Sequence, residues 1–128
     1  MATMGAAVLV IGTQSQAYAS TSIYVSDWEP AGYGSFTADP DPARDTPGDS
    51  VMACDRAADG WGVQAELDIN AVSPFSFDAD RIATTRGESS PYCDIVTGNI
   101  AEETPVSLRV CLVKGTEKKC TVPKFGKA

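Results

Sequence analysis

The sequence predicts an all-β protein, a small antiparallel β-sandwich of about seven or eight strands held by two disulfides. Three observations predict it. Short stretches of β-branched and aromatic residues alternate with polar ones, and clusters of Gly, Pro and Asp punctuate them. No segment after Ser20 carries the apolar periodicity of a helix. Four cysteines, Cys54, Cys93, Cys111 and Cys120, follow an apolar leader, and an even number in an exported chain reads as a disulfide framework.

The leader comes first. Gly5–Gly12, GAAVLVIG, is too short an apolar run to span a bilayer, and it runs on to Ala17-Tyr18-Ala19 before Ser20. That is the cleavage pattern of a secretory signal peptide. Residues 1–19 are therefore expected to be removed, leaving residues 20–128 as one domain in the extracellular space. No Lys or Arg precedes the apolar run, so the natural start is expected upstream of Met1.

Ser22–Trp28 and Tyr33–Thr37 alternate aromatic and β-branched residues around the breaker cluster EPAG. Together, residues 20–37 read as an extended aromatic-rich arm or edge strand able to add to a partner's groove. Ala38–Asp49 holds three prolines and four aspartates and is a loop, because each proline removes a backbone donor and disfavours helix before it. Ser50–Asp55 is a short strand, and Asp59-Gly60 a turn. In Trp61–Ile69, WGVQAELDI, residues Trp61, Val63, Ala65, Leu67 and Ile69 line an apolar face and Gln64, Glu66 and Asp68 a wet one. Arg81–Thr85 is a further strand, ahead of the loop TTRGESSPYC (Thr84–Cys93). Val106–Val113 and Lys118–Val122 complete the set.

The last two strands fix the cysteine pairing. Folded as a hairpin around Lys114–Glu117, they bring Val113 opposite Lys118 and Cys111 opposite Cys120. Opposed residues lie within disulfide reach. Cys111 alternates with the inward Val110 and Leu112, so this bridge belongs on the outer face. By elimination Cys54 pairs with Cys93 and anchors the TTRGESSPYC loop.

Net charge is −7, yet the chain from Pro105 onward has six basic residues against Glu117 alone. An acidic body with one basic end excludes nucleic acid as a partner, and no membrane partner is expected. The chain contains no histidine, which removes Ser-His and Cys-His nucleophile pairs. It has no C-x-x-C, and with no imidazole the cysteines do not read as a zinc site. DPDPARD and FDADR offer oxygen ligands to calcium but match no EF-hand loop. Asp78, Asp80, Glu88 and Asp94 form no recognisable acid–base pair. No catalytic residue, metal or cofactor is assigned. The partner-binding candidates are Tyr24, Trp28 and Tyr33, on which a sugar or a protein could stack, and Arg86 at the tip of the anchored loop.

The stretches ACDRAADGWGVQAEL (Ala53–Leu67), TTRGESSPYCD (Thr84–Asp94) and TPVSLRVCLVKG (Thr104–Gly115) resemble small secreted, disulfide-linked β-domain proteins of Streptomyces and related actinobacteria. Within that group the chain is similar to the adaptor subunit of umbrella toxin particles. The resemblance implies a connector between a lectin and a large toxin subunit. The expected function is thus a secreted, non-enzymatic protein-binding module. A secreted protease inhibitor presenting Arg86 is the alternative, and a small hydrolase the third.

Overall fold

Nine strands, among the residues described (20–73 and 76–128), form two antiparallel sheets in the computed structural model. They are β1 (Ile23–Val25), β2 (Gly32–Thr37), β3 (Ser50–Asp55), β4 (Gly62–Ile69), β5 (Arg81–Thr84), β6 (Tyr92–Thr97), β7 (Pro105–Lys114), β8 (Glu117–Cys120) and β9 (Lys124–Lys127). The signal segment, residues 1–19, lies outside the described residues.

The first sheet runs β1-β2-β3-β6 and the second β5-β4-β7-β8. Strand β7 has ten residues, enough to pair with β4 along one side and with β8 and β9 in succession along the other. Alternation along each strand decides what lies between the sheets. Ile23, Val25, Phe36, Val51 and Ala53 point inward from the first sheet, and Val63, Ala65, Leu67, Val106, Leu108 and Val110 from the second. Gly34 sits on this inner face. A Cβ there would strike Val110 Cγ2 and come within 3.2 Å of Ala65 Cβ, so the absence of a side chain lets the sheets close.

Both open sides of the sandwich are laced. On one, Thr21 and Lys127 exchange backbone hydrogen bonds of 2.9 and 3.3 Å, joining the β1 side to β9. On the other, Thr84 N donates to Asp94 Oδ2 at 2.9 Å, and Arg81 Nη1 donates to the carbonyls of Asp49 and Gly98, each at 2.9 Å. These contacts occupy edge groups that would otherwise template pairing with another chain.

The two disulfides pair Cys54 with Cys93 and Cys111 with Cys120. Cys111 faces Cys120 in the ladder, and Cys54 faces Cys93. The hairpin between β7 and β8 is tighter than the four-residue loop expected. Lys114 pairs with Glu117, and Gly115 at φ 58° takes the first position of a two-residue turn.

Four expectations change. Of the two readings of residues 20–37 the edge strand holds and the free arm does not: β1 is the edge strand of the first sheet beside β2, and Ile23, Val25 and Phe36 are buried in the core. Strands β6 and β9 were not expected, because each directly follows a proline, Pro91 or Pro123, and β9 is in addition short and charged. Trp61 lies outside β4 and is half-buried rather than a core member. Glu66, expected on a wet face, is 1% exposed, for the reason given below.

Candidate functional site

The outer face of the first sheet brings together two of the four residues that the sequence suggests for recognition, Tyr24 and Tyr33. Ladder register puts Tyr24, Ser35, Met52 and Ile95 in one row across four strands, and Tyr33, Cys54 and Cys93 in the next. Tyr24 and Tyr33 are diagonal neighbours, which is within reach of aromatic rings. Their centroids lie 5.3 Å apart at a 40° tilt. Tyr24 is 50% exposed and Ile95 44%, so one sheet face presents aromatic, aliphatic and disulfide surface together.

Polar contacts hold the tyrosines in place. Tyr24 Oη donates to Glu29 Oε2 at 2.8 Å, and Arg56 Nη1 donates to Glu29 Oε1 at 3.4 Å. The Arg56 guanidinium lies 4.6 Å from the Tyr33 ring centroid, a cation–π arrangement. The Glu29 hydrogen bond, joined by partial burial and the Glu29 charge, holds the Tyr24 phenol above its ordinary pKa. A cavity of about 600 Å³ opens beside the pair, bordered by Met52, Arg56, Asp41 and Arg44.

Trp28 does not join them. It is half-buried against the core, and its Nε1 donates to the Val110 carbonyl at 2.8 Å. Arg86 lies elsewhere, lining a cleft of about 480 Å³ where strand ends and loops meet. Thr85 Oγ1 accepts from Val63 N at 2.9 Å, and Gly87 takes φ 81° in the turn closed by Glu88 N and Thr85 O. The Arg86 side chain folds back, donating from Nη1 to the Gly115 carbonyl at 3.1 Å.

The second sheet has its own concentration of charge on its outer face. Glu66 accepts from Lys118 Nζ at 2.6 Å, Gln64 Nε2 at 2.6 Å and Arg109 Nε at 2.8 Å. Arg109 in turn stacks over Phe77, 4.2 Å from its centroid. The alternation rule misjudged Glu66 because it assigns a face, not what later covers that face. Burial raises the Glu66 pKa, but the hydrogen bonds from Lys118, Gln64 and Arg109 and the Arg109 charge outweigh it. Its carboxyl is held below the usual range. This carboxylate and the Cys111 and Cys120 sulfurs lie within 4.8 Å of one another. Both sulfurs are spent on the disulfide, so the group is a buried ion-pair network and not a thiolate metal site.

Several of the aspartates weighed for calcium or hydrolysis are drawn into protein contacts. Asp80 Oδ2 accepts from Ile69 N at 2.8 Å and Asp94 Oδ2 binds Thr84 N as above, while in DPDPARD Asp39 Oδ2 accepts from Ser20 Oγ and Asp41 pairs with Arg44 at 3.7 Å. Arg56, Met52 and Ile95 were missed from sequence. The signal for the first two was present, since Met52, Cys54 and Arg56 follow one another at every second position in and just beyond β3. Disulfide bonding fits an oxidising compartment. No helix among the described residues is long and apolar enough to cross a membrane.

No known protein family, curated protein or solved structure matches this chain.

Proposed function

We propose that the protein is a secreted, non-enzymatic binding module that docks another secreted protein on the outer face of its first sheet. The observation that carries this is the Tyr24–Tyr33 pair, braced by Glu29 and Arg56 beside Met52, Ile95 and the 600 Å³ cavity. Tyrosine and arginine dominate protein-interface energetics, and methionine adapts to a partner's shape. Because the tyrosines are already bonded in place, docking orders few side chains. Secretion is supported by the leader pattern and by the disulfides. The adaptor role, joining a lectin to a large toxin subunit, rests on the sequence resemblance.

A protease inhibitor would extend Arg86 into a protease's specificity pocket, whereas Arg86 is bonded back to Gly115. The lack of histidine counts against a hydrolase with a Ser-His pair.

The test is affinity capture from the producing organism's culture supernatant, with the wild type and a Tyr24→Ala/Tyr33→Ala variant as baits. A large secreted protein captured stoichiometrically by the wild type alone supports the proposal. Equal capture by both baits, or a trypsin-like protease inhibited in the complex, refutes it.

A further inference from the structure

The cleft at the end of the sandwich has features the docking face does not use. Trp61 stands where β4 begins, half-exposed, and lines the cleft with Arg86, Ser89, Ser90 and Lys114. Lys114 Nζ lies 5.6 Å from the Trp61 ring centroid, and Lys119 Nζ lies 4.9 Å from it. Arg86, bonded to Gly115, is held beside Lys114. Lysine on an edge strand is ordinary protection against pairing. Two ammonium groups over one indole, one of them from the cleft lining, go beyond that need. None of these three cations forms an ion pair among the described residues; the same holds for Arg81, Lys124 and Lys127, which lie outside the cleft lining.

We infer that this cleft is a second binding site, and that its ligand is an acidic polysaccharide carrying uronate-type carboxylates. Lys114 and Arg86 in the lining, with Lys119 beside Trp61, meet the carboxylates and outnumber the two carboxylates of the lining, Asp55 and Glu88. The Trp61 indole offers a flat apolar surface to the sugar ring. Ser89, Ser90 and Glu88 offer hydrogen-bonding groups to ring hydroxyls. An acidic peptide fits less well, because apart from Trp61 its apolar side chains would find only Val113 and two alanines in the lining. The inference stands apart from the docking proposal and shares no residue with it.

The experiment is a fluorescence titration with oligogalacturonate, using maltohexaose and poly-L-glutamate as comparison ligands. The chain has two tryptophans, Trp28 bonded to Val110 and Trp61 in the cleft; both emit, and the Trp61→Phe variant assigns the ligand-dependent change to Trp61. Oligogalacturonate is expected to give a saturable change that weakens as salt rises. Lys114→Gln/Lys119→Gln, confined to exposed side chains, is expected to weaken binding at least ten-fold. Tyr24→Ala/Tyr33→Ala is expected to leave it unchanged. The inference is overturned by no saturable change, by equal binding to maltohexaose, by equal affinity in the lysine variant, or by poly-L-glutamate binding as tightly as the glycan. The last outcome would make an acidic peptide the ligand.

Discussion

Replacing each cystine with a pair of serines should cost very different amounts, because the two bridges close loops of different length. Cys54–Cys93 spans 39 residues and Cys111–Cys120 spans 9. In the chain-entropy account the longer bridge removes loop freedom from the unfolded chain worth about 3.9 kcal/mol at 25 °C, and the shorter about 2.6 kcal/mol. The loops are not nested, so the two effects are independent. Native-state costs are matched, since each bridge has one fully buried cysteine, Cys54 at 1% and Cys111 at 0% exposure, and one exposed partner. The Glu66 carboxylate beside Cys111 gives a serine there an acceptor, which widens the gap. A domain of this size has roughly 5–15 kcal/mol of stability. Cys54→Ser/Cys93→Ser thus removes a large share of it, and Cys111→Ser/Cys120→Ser less. The assay is urea unfolding at pH 7 followed by near-UV circular dichroism, with thermal melting alongside. At about 4–8 °C per kcal/mol, the Tm values should differ by roughly 5–10 °C. A hairpin-bridge variant as destabilised as the other, or more so, would refute the loop-length reasoning.

Glu66 gives up its proton more readily in the folded protein than in the unfolded chain. Its contribution to stability is therefore present above the unfolded carboxylate pKa, about 4.3, and is lost as pH falls through the lower folded value. Glu66→Gln should flatten the acid limb of the Tm–pH curve, and an unchanged limb would show that Lys118 and Arg109 do not hold the charge. Gly34→Val pushes a side chain into Val110 and should cost at least about 1–3 kcal/mol in urea unfolding. A neutral result would mean the sheets separate freely. Deleting Ser20–Trp28 removes Ile23, Val25 and Trp28 from the core, each large side chain contributing about 1.5–3 kcal/mol. The truncated protein should lose its near-UV signal, and a retained signal would make β1 dispensable.

Much of this fold is written locally. The alternation VSLRVCLV sets β7 with Val106, Leu108 and Val110 inward and Cys111 outward, and the hairpin register then brings Cys111 to Cys120. Other features depend on what the chain does far away. Glu66 reads as solvated because alternation assigns it to an outer face, and only Lys118, more than fifty residues later, and Arg109 make that face dry. Residues 20–37 read equally well as arm or strand. The Thr21–Lys127 bridge that fastens their edge joins the two ends of the described chain. In the candidate site, Tyr24 and Tyr33 were legible as aromatics among polar neighbours, yet Trp28, with the same local surroundings, turns toward Val110. Arg56 was missed because its role comes from Glu29 and Tyr33, which lie on a different stretch of chain.

The central claim, that the outer face of the first sheet is the docking surface, is tested most directly by isothermal titration calorimetry with the captured partner. The wild type, Tyr24→Ala/Tyr33→Ala and Arg86→Ala are compared, after near-UV circular dichroism has shown that each is folded. The account predicts that the tyrosine variant binds at least 100-fold more weakly, about 2.7 kcal/mol for two interface anchors, while Arg86→Ala binds like the wild type. Full affinity in the tyrosine variant, with loss in Arg86→Ala, would contradict it.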